Sequence, residues 1–221
     1  MMNKNRLSLA AALLVTALPL LQGCLPAIVA GGAAGVMSVY DRRSTGTQAD
    51  DETTEWKASK RIPEKFKAAS HVNVTSYNHR VLVTGEVPSD EAKAIIGEQI
   101  GQIEGVKEVF NELVVAPASA LGNRSNDSYI TSKLKARLVD SNQLSANHIK
   151  VVTENTVAYL MGIVNEREAK VAIAVARTTD GVRKVVNLLE VVSEADTRRI
   201  DSAVPGGVRT PPPQTAPVES R

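Results

Sequence analysis

The sequence predicts an α+β protein of two tandem αββαβ domains, each a small mixed three-stranded sheet packed by two helices. Three observations carry this. First, the chain aligns with itself. Val81-Leu82-Val83-Thr84-Gly85-Glu86-Val87 matches Ala158-Tyr159-Leu160-Met161-Gly162-Ile163-Val164 at an offset of 162 − 85 = 77. Gly105-Val106-Lys107-Glu108-Val109-Phe110-Asn111 matches Gly181-Val182-Arg183-Lys184-Val185-Val186-Asn187 at 181 − 105 = 76. Second, each copy holds two alternating, strand-like runs around a short turn. Third, a helical run separates the second of these from the last strand. A hairpin is antiparallel and a helical crossover makes the last pair parallel, so each sheet is mixed. Two long copies are too few for a solenoid and read as tandem domains.

In the first copy a leading helix spans 52–62 and Pro63 ends it. Trp56, the only tryptophan, is expected to pack on the sheet. Strands follow at 73–77 and 81–87, joined by the turn-prone pair Asn78-His79. Ser89 is an N-cap, and Asp90-Glu91 suit the start of a helix. Ala92, Ile95, Ile96, Gln99 and Ile103 recur at helical spacing, Gly105 stops the helix in the left-handed conformation, and a strand runs over 107–115.

The second copy repeats this grammar. A helix spans 129–140, strands span 149–153 and 157–164 around Glu154-Asn155-Thr156, and Asn165 caps a helix over 166–178. Gly181 stops that helix and a strand closes the unit at 183–192. Gly85 and Gly162 interrupt strands, where glycine is weakening unless something must approach closely. They are expected to be packing positions where the crossing helix nears the sheet.

The two copies differ in their far faces. In the first, Leu82, Thr84 and Glu86 point away from the Val81, Val83, Val87 face, a pattern fit for solvent. In the second, the same side reads Tyr159, Met161 and Ile163, so that sheet needs a cover on both faces. The first domain or the segment 116–125 is the expected cover, and a partner protein is the alternative. The helix over 129–140 is unusual as well. At about 100° per residue, Ile130, Leu134 and Leu138 form an inner stripe, while Tyr129, Ser132, Ala136 and Val139 form an outer one flanked by Lys133 and Lys135. A helix covering one side of a small sheet needs only one apolar stripe.

The N-terminus reads as an address. Lys4 and Arg6 precede an apolar run over 7–20 and then Leu21-Gln22-Gly23-Cys24, the layout of a secretory signal too short to span a bilayer comfortably. A chain of 221 residues with one cysteine has no internal disulfide framework and no multi-cysteine metal site. Its formal charge of +2 falls to 2 − 2 = 0 once Lys4 and Arg6 are removed, which argues against nucleic acid as partner. Aromatic residues make up 3%, so the cores must be aliphatic.

No catalytic constellation appears. His71, His79 and His148 are isolated, and there is no phosphate loop, no nucleophile–base pair and no metal spacing. The chain is read as non-enzymatic, with no cofactor. These readings, with the resemblance of Leu21-Gln22-Gly23-Cys24 to a bacterial lipobox that implies cleavage before Cys24 and a lipidated tether, divide it into a signal peptide (1–23), that tether (24–50), a first domain (51–115), a linker (116–125), a second domain (126–192) and a disordered proline-rich tail (193–221). Residues 41–50 read as polar and turn-forming, so the folded part is expected to begin near Asp51.

Val-x-x-x-Gly-x-Val before a helix, followed by Gly-Val-x-x-Val-x-Asn, resembles the BON domain. Leu-x-Gly-Cys resembles a bacterial lipobox. Together with Asn126-Asp127-Ser128-Tyr129-Ile130-Thr131 and Glu166-Arg167-Glu168-Ala169-Lys170, they resemble the dual-BON-domain outer-membrane lipoproteins over about 24–192. The resemblance implies cleavage before Cys24, acylation there (palmitate included), and placement at the outer membrane facing the periplasm, since Leu25 stands where retained lipoproteins carry Asp. It further implies a role in envelope integrity and stress response, with the second domain binding anionic phospholipid (phosphatidylglycerol or cardiolipin) at division sites. The residues read for that contact are Tyr129, Lys133, Lys135, Ala136 and Val139. The alternative is a periplasmic adaptor for outer-membrane assembly or quality control, working through Tyr159, Met161 and Ile163 or through the tail.

Overall fold

A computed structural model describes residues 41–203. The signal, Cys24 and most of the tether lie outside the described residues, as does the tail beyond 203. The first repeat comprises α1 (Thr45–Arg61), a single turn α2 (Glu64–Lys67), β1 (His71–Tyr77), β2 (Arg80–Val87), α3 (Asp90–Gly101), β3 (Glu108–Asn111) and β4 (Val114–Val115). The second comprises α4 (Leu121–Asp140), β5 (Ile149–Glu154), β6 (Val157–Val164), α5 (Glu166–Arg177), β7 (Lys184–Val191) and a further helix, α6 (Glu194–Ala203). In both sheets the hairpin is antiparallel and the last strand is parallel, with the middle strand at the centre. The mixed α+β architecture is as the sequence predicts.

The local signals work as physical chemistry requires. Asn78, His79, Asn155 and Thr156 all take positive φ, the geometry of a two-residue hairpin turn whose twist matches that of the strands. Each turn is held from outside by an aspartate on the repeat's leading helix. Asp51 accepts from Asn78 N (2.7 Å) and His79 N (2.9 Å), and Asp127 from Asn155 N (2.8 Å) and Thr156 N (2.9 Å). Ser89 caps α3, and Asn165 with Glu168 forms a reciprocal capping box on α5. Gly105 and Gly181 follow their helices with φ of +90° and +94°.

Several expectations need correction. Gly85 and Gly162 are close-approach positions, but the neighbour is backbone rather than a crossing helix. A Cβ at Gly85 would collide with the carbonyl oxygen of His71, and one at Gly162 with that of His148. The first repeat's last strand is not continuous over 107–115. It breaks at Glu112-Leu113, where Leu113 turns into the core at 1% exposure and both halves still pair with β2. Asn111 makes this break: its Oδ1 accepts from Leu113 N and its Nδ2 donates to Lys93 O on α3. Asn187 Oδ1 receives Leu189 N in the same way, which accounts for the asparagine closing the repeated motif. Gly97 belongs to this device too, because a Cβ there would meet the Asn111 amide.

The helical limits also shift. Thr45–Asp50 is helix rather than turn, capped by Ser44. Leu121–Ser125 belongs to α4 rather than to a linker. The start of the expected tail, Glu194–Ala203, is helix, with Ser193 accepting from Asp196 N at its head. Trp56 does not pack on the sheet. Asp51, Thr54 and Ala58 occupy the buried side of α1, and Trp56, about 200° from Thr54 around the helix, is 63% exposed.

Each repeat has its own aliphatic core beneath its helices. A third cluster lies between the repeats, where the far faces of the two sheets meet. Tyr77 and Leu82 of the first pack with Tyr159, Met161, Ile163 and Leu188 of the second. The first domain therefore covers the second sheet. The expectation that Leu82, Thr84 and Glu86 face solvent is overturned, since they are 0%, 1% and 4% exposed. Glu86 accepts from Ser119 N, and across the seam Asn73 Nδ2 donates to Glu154 at 2.6 Å.

Candidate functional site

The outer surface of α4 is built by the same helix that closes the second sheet. Ile130, Leu134 and Leu138 are at most 2% exposed on the inner side, and Asp127 is pinned to the hairpin turn. That anchoring fixes the helix's rotation and leaves Tyr129 63% and Val139 59% exposed, with Ser132, Lys135 and Ala136 open beside them. Lys133 Nζ lies 5.1 Å from the Tyr129 ring centroid, and it also donates to Asp180 O at 3.2 Å with the Asp180 carboxylate 4.0 Å away. The five residues thus share one side, but Lys133 is partly engaged and Lys135 is the open cation.

Sequence reasoning missed one member. Leu121, 77% exposed, lies eight residues before Tyr129 and within about 80° of it around the helix. With it, the exposed stripe runs from 121 to 139, which is 18 steps of 1.5 Å or about 27 Å. The helical period held the signal, but Ala116-Pro117 and the small polar residues after them suggested a linker instead.

A buried ionic clasp was also missed. Arg42, 6% exposed, donates to Glu168 Oε2 (2.7 Å) and Oε1 (3.0 Å), to both Asp201 oxygens (2.8 and 2.9 Å) and to Ile163 O (2.9 Å). Burial works to lower its pKa, but the hydrogen bonds to Asp201 and Glu168 outweigh that and raise it, so the guanidinium stays charged. Arg43 pairs with Asp41 and Asp51 and lies 4.1 Å from the Tyr77 ring centroid. The segment entering the first repeat is therefore fastened to the second repeat and to α6. His148, buried beside this network, has its pKa lowered by burial and by the Arg42 charge. Among the described residues no group of His, Cys, Asp and Glu has metal-holding geometry, and no helix is long and apolar enough to cross a membrane.

The fold and the repeat motifs define a tandem BON-domain protein. The BON domain model matches residues 50–117 and 126–193, and the chain belongs to the BON domain family. It is 37% identical over 181 residues to the outer membrane lipoprotein DolP of Haemophilus influenzae, covering 81% of this chain and 94% of that one. It is 34% identical over 154 residues to a 21 kDa hemolysin of Actinobacillus pleuropneumoniae, covering 69% and 79%. The osmotically-inducible protein Y of Escherichia coli is 32% identical over 112 residues, covering 50% and 53%.

Proposed function

We propose that this chain is a non-enzymatic outer-membrane lipoprotein, acylated at Cys24 and facing the periplasm, whose second BON domain rests α4 on anionic phospholipid to support envelope integrity, including at division sites. The observation that carries the reading is the exposed stripe Leu121, Tyr129, Ala136 and Val139 with Lys135 beside it, on a helix whose other side is fully used. Tyrosine suits the headgroup boundary, and a near-surface lysine is worth about 1 kcal/mol against an anionic leaflet. Likeness to an outer membrane lipoprotein over nearly its whole length supports the address. Phosphatidylglycerol and cardiolipin are the headgroups of matching charge. The adaptor reading loses one of its two surfaces, because Tyr159, Met161 and Ile163 are covered by the first repeat.

Flotation of the unacylated chain (25–221) with vesicles tests this. Binding is expected on phosphatidylglycerol and absent on phosphatidylcholine, and Tyr129→Glu with Val139→Glu is expected to abolish it. Undiminished binding by that double variant refutes the α4 contact.

A further inference from the structure

The largest exposed side chain on the first repeat is Trp56, at 63%. A tryptophan so placed needs a reason, because α1 already has a complete inner side in Asp51, Thr54 and Ala58. Its surroundings are cationic. Lys57, Lys60 and Arg61 are all exposed, and none forms an ion pair among the described residues. Lys60 Nζ lies 5.9 Å from the Trp56 ring centroid. On the following turn, Lys65 and Lys67 are paired with Glu91 and Glu64 and count for less. The acids of α1 do not cancel the patch. Glu55 is turned to Ser76 N and Lys150, and Asp51 to the hairpin, leaving Asp50 and Glu52 as the exposed acids, with Glu52 one turn before Trp56 and Asp50 about 120° away around the helix. Lys60 and Arg61 complement the carbonyl end of α1, a role that explains two cations but not an exposed indole.

We propose that the outer side of α1 is a second phospholipid contact, in which the Trp56 indole enters the headgroup boundary while Lys57 and Lys60 meet lipid phosphates. Indole is the side chain with one apolar body and one N–H that the interface accepts best, and a cluster of unpaired cations complements an anionic leaflet. Chain length fits this occupant. From Cys24 to the first described residue is 41 − 24 = 17 residues, which extend to no more than about 60 Å. The inference rests on the reading of Cys24 as the membrane anchor, but not on the α4 contact. The two leading helices then carry equivalent devices at different positions: an exposed aromatic with a lysine four residues on, Trp56/Lys60 and Tyr129/Lys133.

Trp56 is the chain's one tryptophan, so its own emission reports this site in the full acylated protein. In vesicles containing phosphatidylglycerol, the emission is expected to shift to the blue, resist aqueous acrylamide and be quenched by brominated acyl chains. None of this is expected in phosphatidylcholine alone. Removing one cation, as in Lys57→Gln, is expected to lower the ratio of bilayer-facing to solvent-facing Trp56 about fivefold. Emission that stays red and acrylamide-sensitive on phosphatidylglycerol overturns the proposal, and so does an equal shift on both lipids. The Tyr129→Glu, Val139→Glu chain separates the two sites. A blue shift persisting there supports an independent α1 contact, whatever becomes of α4. Its loss there overturns that contact and leaves α4 as the binding surface.

Discussion

Replacing Arg42 by Ala should release the segment entering the first repeat, and α6, from the second repeat. The guanidinium makes five hydrogen bonds between 2.7 and 3.0 Å, to two carboxylates and a carbonyl. Its side chain is 2% exposed, and those of Glu168 and Asp201 are 9% and 35% exposed. Removing one partner of a buried pair costs about 3–5 kcal/mol, because the other charge remains without compensation. The lower part of that range applies here, since Asp201 reaches water and Glu168 keeps Asn165 N at 2.9 Å. About 3 kcal/mol at roughly 2–4 °C per kcal/mol gives a fall in Tm of about 6–12 °C. The apolar seam between the two sheets and its polar contacts remain, so the repeats should still melt in one transition. Calorimetry of the unacylated chain measures both, and hydrogen exchange at α6 localises the loss. A variant melting within 2 °C of wild type would show that the clasp contributes nothing to stability.

The two buried carboxylates with resolved shifts should respond to pH in opposite senses. Burial works to raise the Asp51 pKa, but hydrogen bonds from Ser76, His79 and Asn78 and the Arg43 pair outweigh it, and the net shift is downward. A depressed carboxylate stabilises the fold above its unfolded pKa of about 3.9 and loses that contribution as pH falls through the folded value. Asp51→Asn should therefore be destabilising at pH 7, with the difference from wild type shrinking below about pH 4. Glu154 is raised, chiefly by burial and only partly offset by Asn73. Its ionised form opposes folding above the folded pKa, so Glu154→Gln, which keeps an acceptor for Asn73, should be neutral or stabilising at pH 7. Urea titrations at pH 4 and 7 test both. Among the glycines, Gly85→Ala should prevent folding of the first sheet, because the new methyl meets His71 backbone. Gly105→Ala, with φ of +90° but open space, should cost only about 1 kcal/mol.

What the sequence made legible was whatever depends on near neighbours. Alternation located the hairpins, glycine placed the helix ends, Ser89 and Asn165 marked helix starts, and Ile130, Leu134 and Leu138 identified an inner stripe. What stayed hidden depends on distant partners. Thr84 and Glu86 look like solvent-facing residues because their burial depends on the second sheet packing over that face beside Leu82, and Glu86 finds its partner at Ser119 N beyond the repeat. Arg42 reads as a polar spacer until Glu168, 126 residues on, and Asp201, 159 residues on, come beside it. The helix at Glu194–Ala203 was legible in principle: Ser193-Glu194-Ala195-Asp196 is a cap followed by an acid three residues on, and Glu194–Arg198 is a helical ion pair. The prolines at 205, 211, 212, 213 and 217 drew the boundary of the tail too early.

Duplication also restricts where function can be written. Each sheet spends one face on its own helices and the other on the opposite repeat, so neither sheet face is free for a ligand. Among the described residues, the exposed large apolar side chains fall in two sets: Trp56, Leu121, Tyr129 and Val139 on the leading helices, and Val114, Val115 and Val191 on the closing strands. The strand residues are short-chain valines at sheet ends, while the helix residues include an indole and a phenol with cations beside them. A leading helix can change its outer side without disturbing the fold, because Asp51 or Asp127 fixes its rotation from the hairpin turn. Two copies of one scaffold thus present two independently variable outer helix faces, and the clasp at Arg42 holds the body that carries both.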